Sequence, residues 1–137
     1  LIHIPNTATE LTYTIPLSAL QKEMVLQLRN IQFDHNSSVL TPSSYAELDK
    51  LVKLMQDNPS MQIELSAHTD DVGSEQYNMR LSQQRGESVR KYLIRKGVDA
   101  KRIIAKGYGK NKPLVPNDSD ENRAINRRVE FTINEIE

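Results

Sequence analysis

The 137-residue chain contains no cysteine, no tryptophan, and only two phenylalanines and five tyrosines. Without cysteine there is no disulfide, no thiolate metal ligand, no cysteine nucleophile and no lipidated cysteine within this stretch. The redox compartment stays open. Net charge is lacking too, because eighteen basic and eighteen acidic side chains cancel. They divide as four against seven up to His68 and fourteen against eleven beyond it, which offers none of the basic footprint of a nucleic-acid binder. No apolar run approaches the ~18 residues of a membrane-spanning helix. The chain starts at Leu1 with neither a methionine nor a charged-then-apolar leader, so it reads as a piece of a longer protein whose targeting signal lies upstream. What is present, 37% hydrophobic and 26% charged residues, suits a soluble globular domain. A chain of this mass exposes ~7,300 Å² folded against ~23,000 Å² unfolded, enough burial for one domain.

The spacing of apolar residues predicts the elements. Residues 1–24 read as an arm or linker in which Leu11, Tyr13, Ile15 and Leu17 alternate as in a half-buried strand, with Pro16 restricting it to a sheet edge. Residues 25–137 read as the domain proper. Leu26 and Leu28 share one parity and Ile31 and Phe33 the other, predicting a strand bulged near Arg29 and Asn30. A polar loop follows, Asp34 to Leu40. Thr41-Pro42 then predicts a helix start, and Tyr45, Leu48, Leu51, Val52 and Met55 recur at helical spacing until Asn58-Pro59. Met61, Ile63, Leu65 and Ala67 predict a second strand, and a second helix runs from about Ser74 to Lys96 before Gly97. Ile103 to Lys106 is a short third strand; Val129, Phe131 and Ile133 mark a fourth. The intervening loop, Gly107 to Asn126, is long enough to be functional or partly helical, with Asp120 to Ala124 as the candidate turn.

Two arginines break the pattern. Arg85 falls midway between Leu81 and Val89 in the apolar stripe of the second helix, where a leucine belongs, and Asn78 lies one heptad earlier on the same face. An unpaired buried guanidinium costs several kcal/mol, so Arg85 either pairs with a carboxylate or faces a polar cleft. Arg127 shares the parity of Val129, Phe131 and Ile133, and so points to the helix-covered side where its strand begins. Asp70 follows the second strand directly, at the strand-end crevice where open α/β sheets place ligands. Two readings follow: an internal Asp70–Arg85 ion pair that fixes the loop, or a cleft offering one carboxylate and one or two guanidiniums. The second suits a small zwitterion, its ammonium at Asp70 and its carboxylate on the fork of Arg85.

The run HTDDVGSEQYNMRLSQQRGESVRKYLIRKGV from His68 to Val98, with RIIAKGYGKNKP and NRAINRRVEF beyond it, resembles the OmpA-like peptidoglycan-binding domain shared by OmpA carboxyl-terminal domains, Pal and MotB. The resemblance covers about Ile31 to Ile133, and NIQFDHNSSVLTPSSYAELDKLV is similar to the version found in Bacteroidetes envelope proteins. It implies an α/β fold, an α+β sandwich with a βαβαβ-type core and a mixed sheet carrying helices on one face. It also implies a ligand, the free end of meso-diaminopimelate in the peptidoglycan stem peptide, with Asp70 and Arg85 as principal contacts. Thr69, Asn78, Leu81, Asp34 and Arg127 stand at the positions of secondary contacts. The expected role is non-catalytic anchoring of a parent envelope protein, with further domains upstream, to the cell wall. The expected setting is a Gram-negative periplasm beside the outer membrane. Three departures from the pattern are Ala67 for glycine, Gly86 for alanine and Asn122 for glycine.

Other classes fit less well. Asp70-Asp71 resembles a carboxylate pair, yet adjacent turn residues seldom converge, and no serine or threonine comes with a base and orienter. No enzyme activity and no cofactor are expected. His3, His35 and His68 lack zinc spacing. The acidic run Asn117 to Asn122 lacks the central glycine and terminal glutamate of a calcium loop and reads as a solvated turn with a helix cap, so no metal is expected. The alternative function is a protein-interaction or oligomerisation module that keeps the fold without the ligand, which the presence of Asp70 and Arg85 disfavours.

Overall fold

The computed structural model describes residues 9–10, 20–28, 31–33 and 36–137. The strand reading of residues 11–17, the bulge at Arg29 and Asn30, and Asp34 lie outside the described residues.

Alternation becomes a sheet at the expected places. The strands are β1 (Thr9–Glu10), β2 (Val25–Leu28), β3 (Gln62–His68), β4 (Ile103–Gly109) and β5 (Arg128–Glu135), in the order β1-β2-β5-β3-β4. β5 runs antiparallel between β2 and β3, while β3 and β4 pair in parallel, so the sheet is mixed. The inward-facing set Leu26, Leu28, Ile63, Leu65, Ala67, Val129, Phe131 and Ile133 is buried. Two helices cover it: α1 (Tyr45–Asp57), through Leu48, Leu51, Val52 and Met55, and α2 (Glu75–Arg95), through Val89, Tyr92 and Leu93. Burying each of these larger side chains contributes about 1.5–3 kcal/mol, which makes this face the main source of stability. The mixed sheet with helices on one face is the fold the sequence implied. No described helix is long and apolar enough to cross a membrane.

Caps set the helix limits. Ser74 accepts from the Tyr77 amide at the start of α2, and Gly97 takes φ +107° just past its end, a left-handed conformation that a side chain would strain. Thr41-Pro42 opens a single 3₁₀ turn, Pro42–Ser44, before α1, and Thr41 makes no side-chain cap. A third helix, α3 (Asp120–Asn126), extends the turn expected in the long loop by two residues; Ser119 caps it. Buried Asn126 pins the loop before it, accepting from the Leu114 and Val115 amides and donating to the Val115 carbonyl and Asn117.

Three strand boundaries differ from the sequence reading, the first being β4, which pairs with β3 on through Gly109 and so takes three residues from the expected loop. Among the described residues β2 covers Val25–Leu28, and Phe33 makes an isolated antiparallel bridge to Leu40. The backbone of Gln32 is diverted from the sheet, its amide to the Ser44 hydroxyl at 2.7 Å and its carbonyl to the Thr41 amide at 3.0 Å. β5 starts at Arg128, because Arg127 still closes α3, its amide bonded to the Arg123 carbonyl.

The outer edge of β4 is closed by α2. Gln83 donates to the Ala105 carbonyl and accepts from the Gly107 amide, Ser82 accepts from the Gly109 amide, and Arg90 donates to the Ile103 carbonyl. Helix and strand approach so closely that a Cβ on Gly107 would lie 2.2 Å from the Gln83 nitrogen, a position only glycine tolerates.

Candidate functional site

The parallel pairing of β3 with β4 carries the chain out of the sheet at Thr69, whose amide bonds the Gly109 carbonyl. Asp70 is the next residue. Its Oδ1 accepts from the Val72 amide, an Asx-type turn, and its Oδ2 takes a guanidinium NH from Arg127 at 2.5 Å. The Asp70 side chain is 12% exposed and that of Arg127 is 47%, so the pair sits half in water. The Asp70–Arg85 ion pair considered from spacing alone is therefore replaced by Asp70–Arg127. The end of α3, a helix that spacing resolved only in part, is what delivers Arg127 to Asp70.

Arg85 is held differently. Its Nε donates to the Ser37 carbonyl at 2.9 Å, and its guanidinium lies 4.8 Å from the centre of the Phe33 ring. Burial, the largest influence, pushes its pKa down, and the Arg127 charge acts in the same direction; Tyr77 and Asp70 oppose them. The shift leaves it a cation at any working pH. With Nε engaged, the two terminal nitrogens have no described protein partner. These nitrogens form the edge that receives a carboxylate through two parallel bonds.

Arg85 and Arg127 line one open cleft of about 720 Å³, together with Phe33, Thr41, Ala67 and Ala124. Thr69, Asp70, Asn78 and Leu81 are not among the residues that line it. Thr69 is buried and bonds the Asp70 carbonyl, and Asn78, also buried, donates to the Val72 carbonyl, tying the turn to α2. Leu81 is buried on α2. Thr69 and Asn78 hold the turn that presents Asp70.

Several residues of the site escaped the sequence reading. Asp71, beside Asp70, pairs with Arg123 of α3 at 3.1 Å, and Arg123 also reaches Asp120 and the Asn117 carbonyl, clasping the turn to the long loop. On the opposite face of the sheet, Arg128 pairs with Glu130 at 3.0 Å and donates to the Lys112 and Asn126 carbonyls. His68 stacks on Tyr108 with ring centres 5.2 Å apart. Its Nε2 is 3.5 Å from Glu130 Oε1, and neither buried ring nitrogen has a hydrogen-bond partner among the described residues. The run Asn126-Arg127-Arg128 thus serves three places, the loop, the cleft and the outer face. Successive strand residues face opposite ways, and only that alternation could have separated the two arginines in advance.

The sequence pattern of the OmpA family matches residues 32–127, most of the chain, with Asp70, Arg85 and Arg127 inside the match. The chain belongs to the OmpA family. Among relatives of this OmpA-family domain, outer membrane porin F of Pseudomonas aeruginosa is 36% identical over 130 residues, covering 94% of this chain and 37% of porin F. The peptidoglycan-binding protein ArfA of Mycobacterium tuberculosis is 35% identical over 104 residues, covering 76% of this chain and 32% of ArfA. Among solved structures, the cell wall anchor of the T6SS from Pseudomonas aeruginosa superposes with a TM-score of 0.68 at 27% identity, covering 80% of this chain and 78% of that one. The domain spans about a third of the length of the curated relatives quoted.

Proposed function

We propose that this OmpA-family domain binds peptidoglycan without cleaving it, by gripping the side-chain end of meso-diaminopimelate in the stem peptide. It thereby anchors a parent envelope protein to the cell wall in the periplasm. The observation that carries this reading is the complementarity of the cleft to a zwitterion. Arg85 offers a two-nitrogen edge that no described residue occupies, Arg127 a half-exposed guanidinium, and Asp70 a carboxylate joined to the cleft through Arg127. A ligand ammonium meets Asp70 where Arg127 now pairs with it, and the displaced Arg127 is free to turn to the ligand carboxylate beside Arg85. The relatives support the wall as target, one being a peptidoglycan-binding protein and another a cell wall anchor. The absence of cleavage rests on the chemistry of the residues: Asp70 and Asp71 are each tied to a different arginine and do not converge on one substrate atom.

Sedimentation with purified diaminopimelate-type peptidoglycan, followed by analysis of the soluble fraction, tests both halves. Co-sedimentation without released muropeptides is expected. Failure to sediment overturns the binding, and muropeptides released in proportion to protein overturn the non-catalytic role.

A further inference from the structure

Far from Asp70, the last turn of α2 and the first turn of α1 enclose a second, shallower cleft of about 400 Å³, lined by Tyr45, Tyr92, Arg95 and Lys96. Its floor is rigid. The Tyr45 and Tyr92 rings stack with centres 5.1 Å apart and an interplanar angle of 12°. The Tyr92 hydroxyl donates to Asp49 at 2.6 Å. Burial and this bond push the Tyr92 pKa up to about 12, so the Tyr92 ring is uncharged. Tyr45 remains 38% exposed although it belongs by spacing to the buried stripe of α1.

Two cations stand over this floor, the Arg95 guanidinium at 5.6 Å and the Lys96 ammonium at 5.5 Å from the Tyr92 ring centre. Both are exposed, and no described carboxylate pairs with either. The carboxyl end of α2 contributes roughly half a negative charge nearby. That offsets part of one cation. Asp49 lies against the Tyr92 hydroxyl, on which its Oδ1 is already engaged.

The two clefts are separate, and each takes a wall from α2. Tyr92 lies seven residues after Arg85 on α2, two helical turns or ~10 Å along the same face. On the other wall, Tyr45 follows four residues after Thr41, which lines the first cleft. We infer that the Tyr45–Tyr92 cleft is a second, anion-binding subsite of the same face. It takes a free carboxylate of the peptidoglycan polymer, from a stem peptide next to the one whose diaminopimelate is held at Arg85. This inference rests on the peptidoglycan reading above. Its chemistry is separate: a carboxylate seated between Arg95 and Lys96, with the attached apolar groups on the exposed Tyr45 ring. Two linked sites on one polymer strengthen attachment to the whole wall without changing affinity for a single stem peptide.

Charge reversal of both cations, Arg95→Glu with Lys96→Glu, tests it against a control with the same change in net charge, Lys91→Glu with Lys101→Glu. Tyr45→Ala removes the apolar seat alone. Each variant is titrated with a monomeric diaminopimelate-containing muropeptide and sedimented with intact sacculi. The expected result is at least about tenfold weaker binding of sacculi by the Arg95/Lys96 variant, a smaller loss in Tyr45→Ala, and wild-type binding of the monomer by both. The control pair should sediment as wild type. Unchanged sacculus binding in the Arg95/Lys96 variant, or an equal loss in the control, overturns the subsite. Arg85→Ala separates this from the parent reading. If it binds the monomer as wild type does while the Arg95/Lys96 variant loses sacculi, the diaminopimelate site falls and the second subsite stands.

Discussion

At the scale of single residues, the two arms of the cleft differ in what else they do. Arg85 contributes one backbone bond and a ring contact, whereas Asp70 also closes the turn through Val72 and holds Arg127. Arg85→Ala should therefore cost about 2–5 kcal/mol of muropeptide binding with a nearly unchanged Tm. Asp70→Ala should lose binding and also lower Tm; titration calorimetry and thermal scans read the two effects, and wild-type affinity in both variants would eliminate the cleft as the site. The arginines were legible in the sequence because each interrupts an apolar pattern. Their partners were not legible, since Asp70 meets Arg127 across fifty-seven positions through a helix that places only the final residue. His68 carries a second prediction. Burial, above all, depresses its pKa below the usual 6.5; Glu130 opposes this, and Arg128 and Lys112 reinforce it. Glu130 also sits below its usual value, because His68 and Arg128 outweigh the effect of its burial. The unfolded chain then binds more protons at acid pH, so stability is complete above about pH 6.5 and falls as pH drops through the depressed histidine value. Urea unfolding at pH 7.5 and 5.5 should show a larger loss for wild type than for His68→Gln, and parallel losses would refute the assignment.

At the scale of elements, two departures from the family pattern face each other. A Cβ on Gly86 would lie 3.9 Å from the Ala67 Cβ and 3.5 Å from that of Ala105, ordinary contact distances. The methyl group missing from α2 thus has a counterpart on β3, in Ala67, where the resemblance leads one to expect glycine. Gly86→Ala should stabilise the domain by about 0.5–1 kcal/mol, because the helix loses a flexible residue and nothing must move. Gly107→Ala is the opposite case, costing about 3 kcal/mol or more, because its Cβ would collide with the backbone of α2. Denaturant midpoints of the two variants should therefore move in opposite directions. β3 and α2 were readable from the sequence because local period and burial agree along their whole length. The strand expected to reach Phe33 was not, because Ser44 and Thr41 capture the Gln32 backbone, a competition between hydrogen-bond partners that periodicity cannot register.

At the scale of the whole molecule, zero net charge makes the proposed grip a local one rather than a bulk attraction. Attachment to the wall should survive moderate salt better than a polybasic contact would. Selectivity should instead come from Arg85. A lysine-type stem peptide lacks the side-chain carboxylate and leaves the guanidinium edge desolvated and unpaired, a loss that polar sites punish heavily. Competition between the two stem-peptide types should favour diaminopimelate strongly, and equal affinity would refute the role given to Arg85. The closing of β4 by Gln83, Ser82 and Arg90 bears on how such domains can be crowded together. A sheet whose last strand offers bare amides and carbonyls recruits the strands of its neighbours, and that hazard grows with local concentration. Here the helix that carries Arg85 also occupies that strand's outer backbone groups. Copies crowded together on the proposed polymer therefore cannot template one another's strands through the β4 edge.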